Sequence, residues 1–126
     1  MKNILLIEDD LSIAALYKMK LELHRYSVTH CVNGLEGLHA VEHHEPDLIL
    51  LDLNMPVVDG EEFLRRYRKK DQITPVLVLT NISKDEAPKT LWHYGISGYF
   101  VKARHTPKEL VLIIEEVLDK HNNARA

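Results

Sequence analysis

Four short runs of uninterrupted apolar residues punctuate the chain at 4–7, 48–51, 76–79 and 99–101, each bounded by polar or turn-forming residues. They are too brief for buried helices. Continuous hydrophobicity over so few positions predicts strands covered on both faces, as in a parallel sheet. A fifth run, 26–32, alternates, with Val28 and Cys31 set among Ser27, Thr29 and His30, and predicts a strand nearer an edge. Between the runs, apolar positions recur at helical spacing. Ile13, Leu16, Tyr17 and Leu21 mark the first helix, with Ser12 as an early cap. Leu35, Leu38 and Val41 mark the second, opened by Asn33-Gly34 and closed before Pro46, where proline forbids continuation. Phe63, Leu64 and Tyr67 follow Asp59-Gly60, and the last helix runs from Thr106-Pro107 through Leu110, Ile113, Ile114, Val117 and Leu118. The stretch 87–94 is the odd one. Pro88 would clash inside a helix, so a short fourth helix behind a mobile loop is predicted.

Five strand-then-helix units in strict alternation predict an α/β, doubly wound, flavodoxin-like fold: a five-stranded parallel sheet in the order 2-1-3-4-5 with helices on both faces. Residues 1–120 read as one domain and 121–126 as a fraying tail. Composition narrows the class. A chain of 126 residues, 45% hydrophobic and 28% charged, suits one self-sufficient core. The one cysteine cannot form an internal disulfide, and with no leader-like segment before the first strand the expected setting is cytoplasmic and reducing. No apolar run reaches the ~20 residues of a membrane span. A net charge of −3 gives no global attraction for nucleic acid, so neither a membrane nor direct nucleic-acid contact is expected.

In open parallel sheets ligands bind outside the carboxyl ends of the strands, where the strand order reverses. The first strand ends in Glu8-Asp9-Asp10, the third in Asp52, the fourth in Thr80 and the fifth in Lys102. With strands 1 and 3 adjacent, carboxylates converge, and like charges that converge call for a cation. Hard oxygen donors without His or Cys favour Mg²⁺, which keeps water and takes a phosphoryl oxygen. Lys102 would supply a point charge to such a group and the Thr80 hydroxyl a hydrogen bond. A carboxylate held against a phosphoryl group can itself be the nucleophile. Asp10 is assigned to capping the first helix.

These residues carry a resemblance. Glu8-Asp9 after an apolar strand, the stretch Leu48-Ile49-Leu50-Leu51-Asp52-Leu53-Asn54-Met55-Pro56 followed by Asp59-Gly60, Thr80, and Gly98-Tyr99-Phe100-Val101-Lys102 together resemble the response-regulator receiver domain of two-component phosphorelay signalling, over essentially the whole chain. The resemblance implies phosphorylation of Asp52 by a sensor histidine kinase or histidine phosphotransfer domain. It implies Mg²⁺ bound by Asp9, Asp52 and the Asn54 carbonyl, with Glu8 acting through water. Thr80 and Lys102 would turn toward the phosphoryl group, and Tyr99 would swing inward as a switch aromatic. A face made of the fourth helix, fifth strand and fifth helix would signal to a downstream protein, with a phosphorylation-dependent homodimer as a further option. On this reading the protein is a phosphoacceptor rather than a turnover enzyme.

Two positions depart from the family pattern. Ala103 follows Lys102 where many receivers have proline after a cis bond, and a trans bond with a rearranged loop is expected because a cis bond before a non-proline residue costs ~2.5–4 kcal/mol. Ile82 stands where a polar residue is common, which predicts slow loss of the phosphoryl group.

Other features read as surface. His39 and His43 share a helix face, and the run Arg65-Arg66-Tyr67-Arg68-Lys69-Lys70 suits a helix C-terminus; both are taken as solvated. Trp92 and Tyr94 read equally as core or docking surface. Two alternatives are carried: a receiver-like interaction module that is not phosphorylated, and a haloacid-dehalogenase-type phosphatase. The latter needs a general acid where Asn54 offers only an amide.

Overall fold

Alternate residues of each central strand point to opposite faces of the sheet, and both faces are apolar. Leu5, Ile7, Ile49, Leu51, Val76 and Val78 face one side, and Ile4, Leu6, Leu48, Leu50, Leu77 and Leu79 the other. In the computed structural model, which describes residues 1–125, these runs form β1 (Asn3–Ile7), β2 (Ser27–Cys31), β3 (Leu48–Leu51), β4 (Val76–Thr80) and β5 (Gly98–Val101). All neighbours pair in parallel, in the order β2-β1-β3-β4-β5. The expected doubly wound sheet is present, with its reversal between β1 and β3.

Helices α1 (Leu11–Leu23), α2 (Gly34–His43), α3 (Gly60–Tyr67) and α4 (Pro107–Arg125) cover it. Phe63, Leu64 and Tyr67 of α3 fill the first core, with Leu38 and Val41 of α2 packed against it. Ala14, Tyr17 and Leu21 of α1 meet Leu110, Val111, Ile114 and Leu118 of α4 in the second. Fully burying one such Leu or Ile stabilises the fold by about 1.5–3 kcal/mol.

Each helix starts where a side chain satisfies its free N–H groups. Asp10, rather than Ser12, caps α1, accepting from the Ile13 N–H at 3.0 Å. Asn33 caps α2 and Asp59 caps α3, accepting at 2.8 and 2.9 Å. Thr106 and Glu109 close a reciprocal box at the start of α4, each backbone N–H donating to the other's side chain at 3.2 Å.

Two expectations are corrected. Helix α4 continues to Arg125 where a tail was expected to fray from His121; Ala126 lies outside the described residues. The fourth helix predicted over 87–94 is a 3₁₀ segment, Lys89–Tyr94, opening directly after Pro88, and the loop before it holds a further 3₁₀ turn, Lys84–Glu86. Gly95 ends it at φ 69°, a left-handed position that glycine occupies without a steric cost.

Beyond α3, the chain turns around one carboxylate. Asp71 accepts from the Ile73 N–H (2.8 Å), the Thr74 N–H (3.0 Å), the Thr74 hydroxyl (2.7 Å) and the Tyr67 phenol (2.9 Å). Partial burial works against its charge, yet these donors win and hold its pKa down at about 2. A carboxylate whose folded pKa is depressed stabilises the fold above its unfolded pKa, near 4, and loses that contribution as pH falls toward 2. After discounting for solvent screening, the expected gap between wild type and Asp71→Asn in urea unfolding is about 1 kcal/mol at pH 6, shrinking between pH 4 and 2. A gap that stays constant across that range would refute the assignment.

Candidate active site at the carboxyl edge of the sheet

The pairing of β1 with both β2 and β3 brings the predicted acidic residues together. Glu8 directly follows β1, and its N–H donates to the Cys31 carbonyl of β2 at 2.9 Å. Asp52 follows β3 and donates its N–H to Ile7 at 3.0 Å, which fixes the two strand ends side by side. Carboxylate oxygens of Glu8, Asp9 and Asp52 all lie within 4.8 Å of one another. Glu8 is 0% exposed and Asp52 5%, whereas Asp9 is open to solvent at the rim.

Lys102 enters from the end of β5. Its Nζ donates to Glu8 Oε1 at 2.6 Å and lies 3.5 Å from Asp52 Oδ2. No peptide bond among the described residues is cis, so the expected trans bond before Ala103 is present; the chain turns into a 3₁₀ segment, Lys102–Arg104, and the lysine still reaches the carboxylates. Burial pulls the Lys102 pKa down, but the hydrogen bond to Glu8 and the charge of Asp52 outweigh it, so the ammonium stays protonated. Burial, with a contribution from Asp52, pushes Glu8 up to about 7 despite that ammonium. Glu8 and Asp52 thus share one cation, with Asp9 beside them at the rim.

The loop after β3 wraps the nucleophile candidate. The Asn54 N–H points at Asp52 Oδ1 from 3.4 Å, and the Asn54 side chain is exposed. Val57 is 72% exposed at φ 71°, where a β-branched residue is strained by about 1–3 kcal/mol. Gly60 returns the chain onto the site, its N–H donating to the Leu53 carbonyl at 2.9 Å.

Thr80 ends β4, next to β3, and is 1% exposed. Its Oγ1 lies 3.4 Å from the Ile82 N–H. Tyr99, half-buried on β5, donates its phenol to the Ile82 carbonyl at 2.7 Å. Thr80 and Tyr99 therefore meet at one residue, Ile82, whose side chain packs into the core on the α3 side.

Sequence reasoning missed three participants. His30 lies with Nε2 2.7 Å from the Glu8 carbonyl and steadies the turn behind it, but the alternation of β2 marks it only as a half-buried strand residue. Arg68, read as part of a solvated basic run, is buried and bonds the carbonyls of Tyr94, Asp71 and Gly95. Glu61 accepts from the Thr90 hydroxyl. Trp92 resolves toward surface, 46% exposed with the Lys84 ammonium 5.0 Å from its ring centroid, whereas Tyr94 packs partly against the core.

Residues 4–115 match the response regulator receiver domain. The chain belongs to that family. YkoG of Bacillus subtilis, an uncharacterized transcriptional regulatory protein, is 44% identical over 102 residues, covering 79% of this chain and 44% of that protein. ResD, a transcriptional regulatory protein of the same organism, is 35% identical over 116 residues, 92% of this chain and 48% of its own. The chain spans about half the length of the curated relatives it matches. Among solved structures, a CheY-like receiver domain protein from Methanospirillum hungatei superposes with a TM-score of 0.89 at 28% identity, covering 98% of both chains. TrrA of Thermotoga maritima, solved in complex with Mg²⁺-BeF, gives 0.83 at 29% identity over 93% of this receiver and 99% of that chain. Membership sets aside the haloacid-dehalogenase-type phosphatase. Among the described residues, no helix of this receiver is long and apolar enough to cross a membrane.

Proposed function

We propose that this receiver takes up a phosphoryl group on Asp52 from a sensor histidine kinase or histidine phosphotransfer domain. The change then passes to a protein partner through the face built from 89–94, β5 and α4. The observation that carries this reading is the convergence of Glu8, Asp9, Asp52 and Lys102 at the strand-order reversal. In the transfer, an Asp52 oxygen forms the new P–O bond while the P–N bond of the donor phosphohistidine breaks, and the imidazole leaves with the electron pair and takes a proton from solvent. The Lys102 ammonium, already 3.5 Å from Asp52, would meet a phosphoryl oxygen, and the Thr80 hydroxyl a second.

The donor set fits Mg²⁺: hard carboxylate oxygens, no imidazole or thiolate, and a local excess of negative charge. Asp9, Asp52 and the Asn54 carbonyl would hold it, with Glu8 acting through water. When bound, the ion neutralises phosphoryl oxygens and offsets the carboxylate repulsion. On this reading the chain is a covalent acceptor used once per signal, not a turnover enzyme. Direct nucleic-acid contact has no support in the basic run, where Arg65 and Arg66 pair with Glu62 and Arg68 is buried.

The test is intact mass after incubation with acetyl phosphate and Mg²⁺, with and without a chelator. Gain of one phosphoryl group, lost on chelation, supports the reading. A folded chain that gains no mass from acetyl phosphate or a panel of kinases would instead be a receiver-like interaction module.

Ile82 sets a second expectation. Its apolar side chain, turned into the core, offers no hydrogen bond to orient a hydrolytic water on the phosphoryl group. Ile82→Glu is expected to shorten the phosphoryl lifetime about tenfold, read from mass decay after the donor is removed. An unaltered lifetime in a folded variant would remove Ile82 from the account.

A further inference from the structure

The stretch that follows Ala87 has the makings of an α-helix: Pro88 suits a first helical position, Leu91 and Tyr94 fall on one side, and Gly95 stops it. Yet Lys89–Tyr94 is 3₁₀ throughout, with the Leu91 N–H donating to Pro88 and the Gly95 N–H to Trp92, both at 3.2 Å. Runs beyond three or four residues are uncommon because the hydrogen-bond geometry is poorer than in an α-helix. Something outside the segment holds it extended.

Two ties run to α3. Near the start of α3, Glu61 accepts from the Thr90 hydroxyl. Just past its end, Arg68 donates from Nε to the Tyr94 carbonyl at 2.7 Å and from its terminal nitrogen to the Gly95 carbonyl at 3.3 Å. Arg68 is 9% exposed and makes no ion pair with a carboxylate among the described residues. Its guanidinium is committed to carbonyl groups, those of Tyr94 and Gly95 at the end of the segment, where a cation suits the local dipole, and that of Asp71.

The spacings fit one conformation more closely than the other. Glu61 and Arg68 stand two helical turns apart, about 10.5 Å along an α-helix. Thr90 and Tyr94, the last residue of the segment, are separated by about 8 Å in a 3₁₀ conformation but about 6 Å in an α-helix, so the 3₁₀ form comes closer to the α3 span.

The geometry points to α3 as a ruler: Glu61 and Arg68 are positioning residues that hold 89–94 stretched in 3₁₀ form, and loss of a tie lets the segment shorten into an α-helix. Relaxation of the six residues shortens the segment by about 3 Å and carries the exposed Trp92 with it. The ruler is fastened at the other end to the candidate nucleophile, since Gly60 bonds the residue after Asp52. Phosphorylation that displaces this loop is therefore the trigger, and that part of the inference rests on the phosphoacceptor reading.

The experiment uses the full chain and two conservative variants remote from the acidic cluster. Thr90→Val removes one donor without changing shape, and Arg68→Lys keeps the charge but not the fork that reaches both carbonyls. Proton NMR separates the conformers, because Hα-to-amide contacts at i,i+2 mark a 3₁₀ segment and those at i,i+4 an α-helix. Wild type is expected to show i,i+2 contacts over 89–94, and either variant to lose them and gain i,i+4 contacts at an unchanged core. If both folded variants retain the wild-type pattern, the ruler is wrong; should Arg68→Lys fail to fold, Thr90→Val alone decides. Wild type carrying one phosphoryl group by mass should make the same conversion, and phosphorylated protein that keeps its 3₁₀ contacts overturns the trigger. Absence of any mass gain defeats the phosphoacceptor reading instead, and the unphosphorylated variants still decide the ruler.

Discussion

Asp52→Asn is expected to abolish phosphoryl uptake from acetyl phosphate in Mg²⁺ while leaving the fold intact. An amide nitrogen and a neutral carbonyl oxygen cannot replace the carboxylate nucleophile, so the mass gain should disappear rather than slow. The same substitution removes one of three carboxylates crowded together at this edge, two of which face the Lys102 ammonium. Two repulsions, with Glu8 and Asp9, are relieved and one attraction is lost, each of similar size at comparable distances. In chelated buffer at pH 8 the net expectation is a gain in unfolding stability of about 1 kcal/mol. Denaturant unfolding beside intact mass reads both effects. Wild-type phosphoryl uptake by the variant would place the acceptor elsewhere, and a loss of stability would show that the cluster is not electrostatically crowded.

Gly60→Ala is expected to be the most damaging single methyl group near the site. A Cβ at Gly60 would stand 2.4 Å from the Asp52 carbonyl oxygen and 2.7 Å from the Leu53 Cα, both backbone atoms that cannot turn aside. Either α3 lifts off the sheet or the end of β3 moves. Overpacking of this kind costs about 2–3 kcal/mol. A displacement of about 1 Å at Asp52 slows a positioned transfer roughly 10²-fold, so the rate of phosphoryl uptake should fall with the urea midpoint. A variant with both properties of wild type would show that the close approach of α3 to Asp52 is not a constraint.

The central sheet was legible because its four buried strands read as plain apolar runs; β3 was found at its observed bounds and the others within one or two residues. Asp52 and Lys102 were visible because the fold confines ligands to one edge, so only strand-end residues had to be weighed. Helix starts were legible where the cap is the residue just before the turn, as at Asn33, Asp59 and Thr106; at the first helix the sequence offered both Asp10 and Ser12, two residues apart, and Asp10 is the cap. What stayed hidden depends on partners distant in sequence. Lys89–Tyr94 carries a helical pattern, and its 3₁₀ form follows from Glu61 and Arg68, which local periodicity does not report. Arg68 itself sits among five neighbours of which four are cations, and nothing in that run says that one guanidinium turns inward. His30 acts through a backbone carbonyl, which has no residue-type signature.

Cys31 lies opposite Ile7 in the β1–β2 ladder, its carbonyl holds the Glu8 N–H, and its side chain packs into the core beside Ile7, so the strand pair that buries the thiol also sets Glu8 in place. Burial, with the nearby Glu36 charge, pushes that thiol up to about 11, and it is 6% exposed, so reagents meet a thiolate only when the packing over this end of the β1–β2 pair opens. The single thiol is thus a built-in clock for opening of the β1–β2 edge. Anything that binds the closed carboxylate cluster slows the clock by the factor 1 + [L]/Kd, which turns alkylation half-lives into a label-free titration of the site.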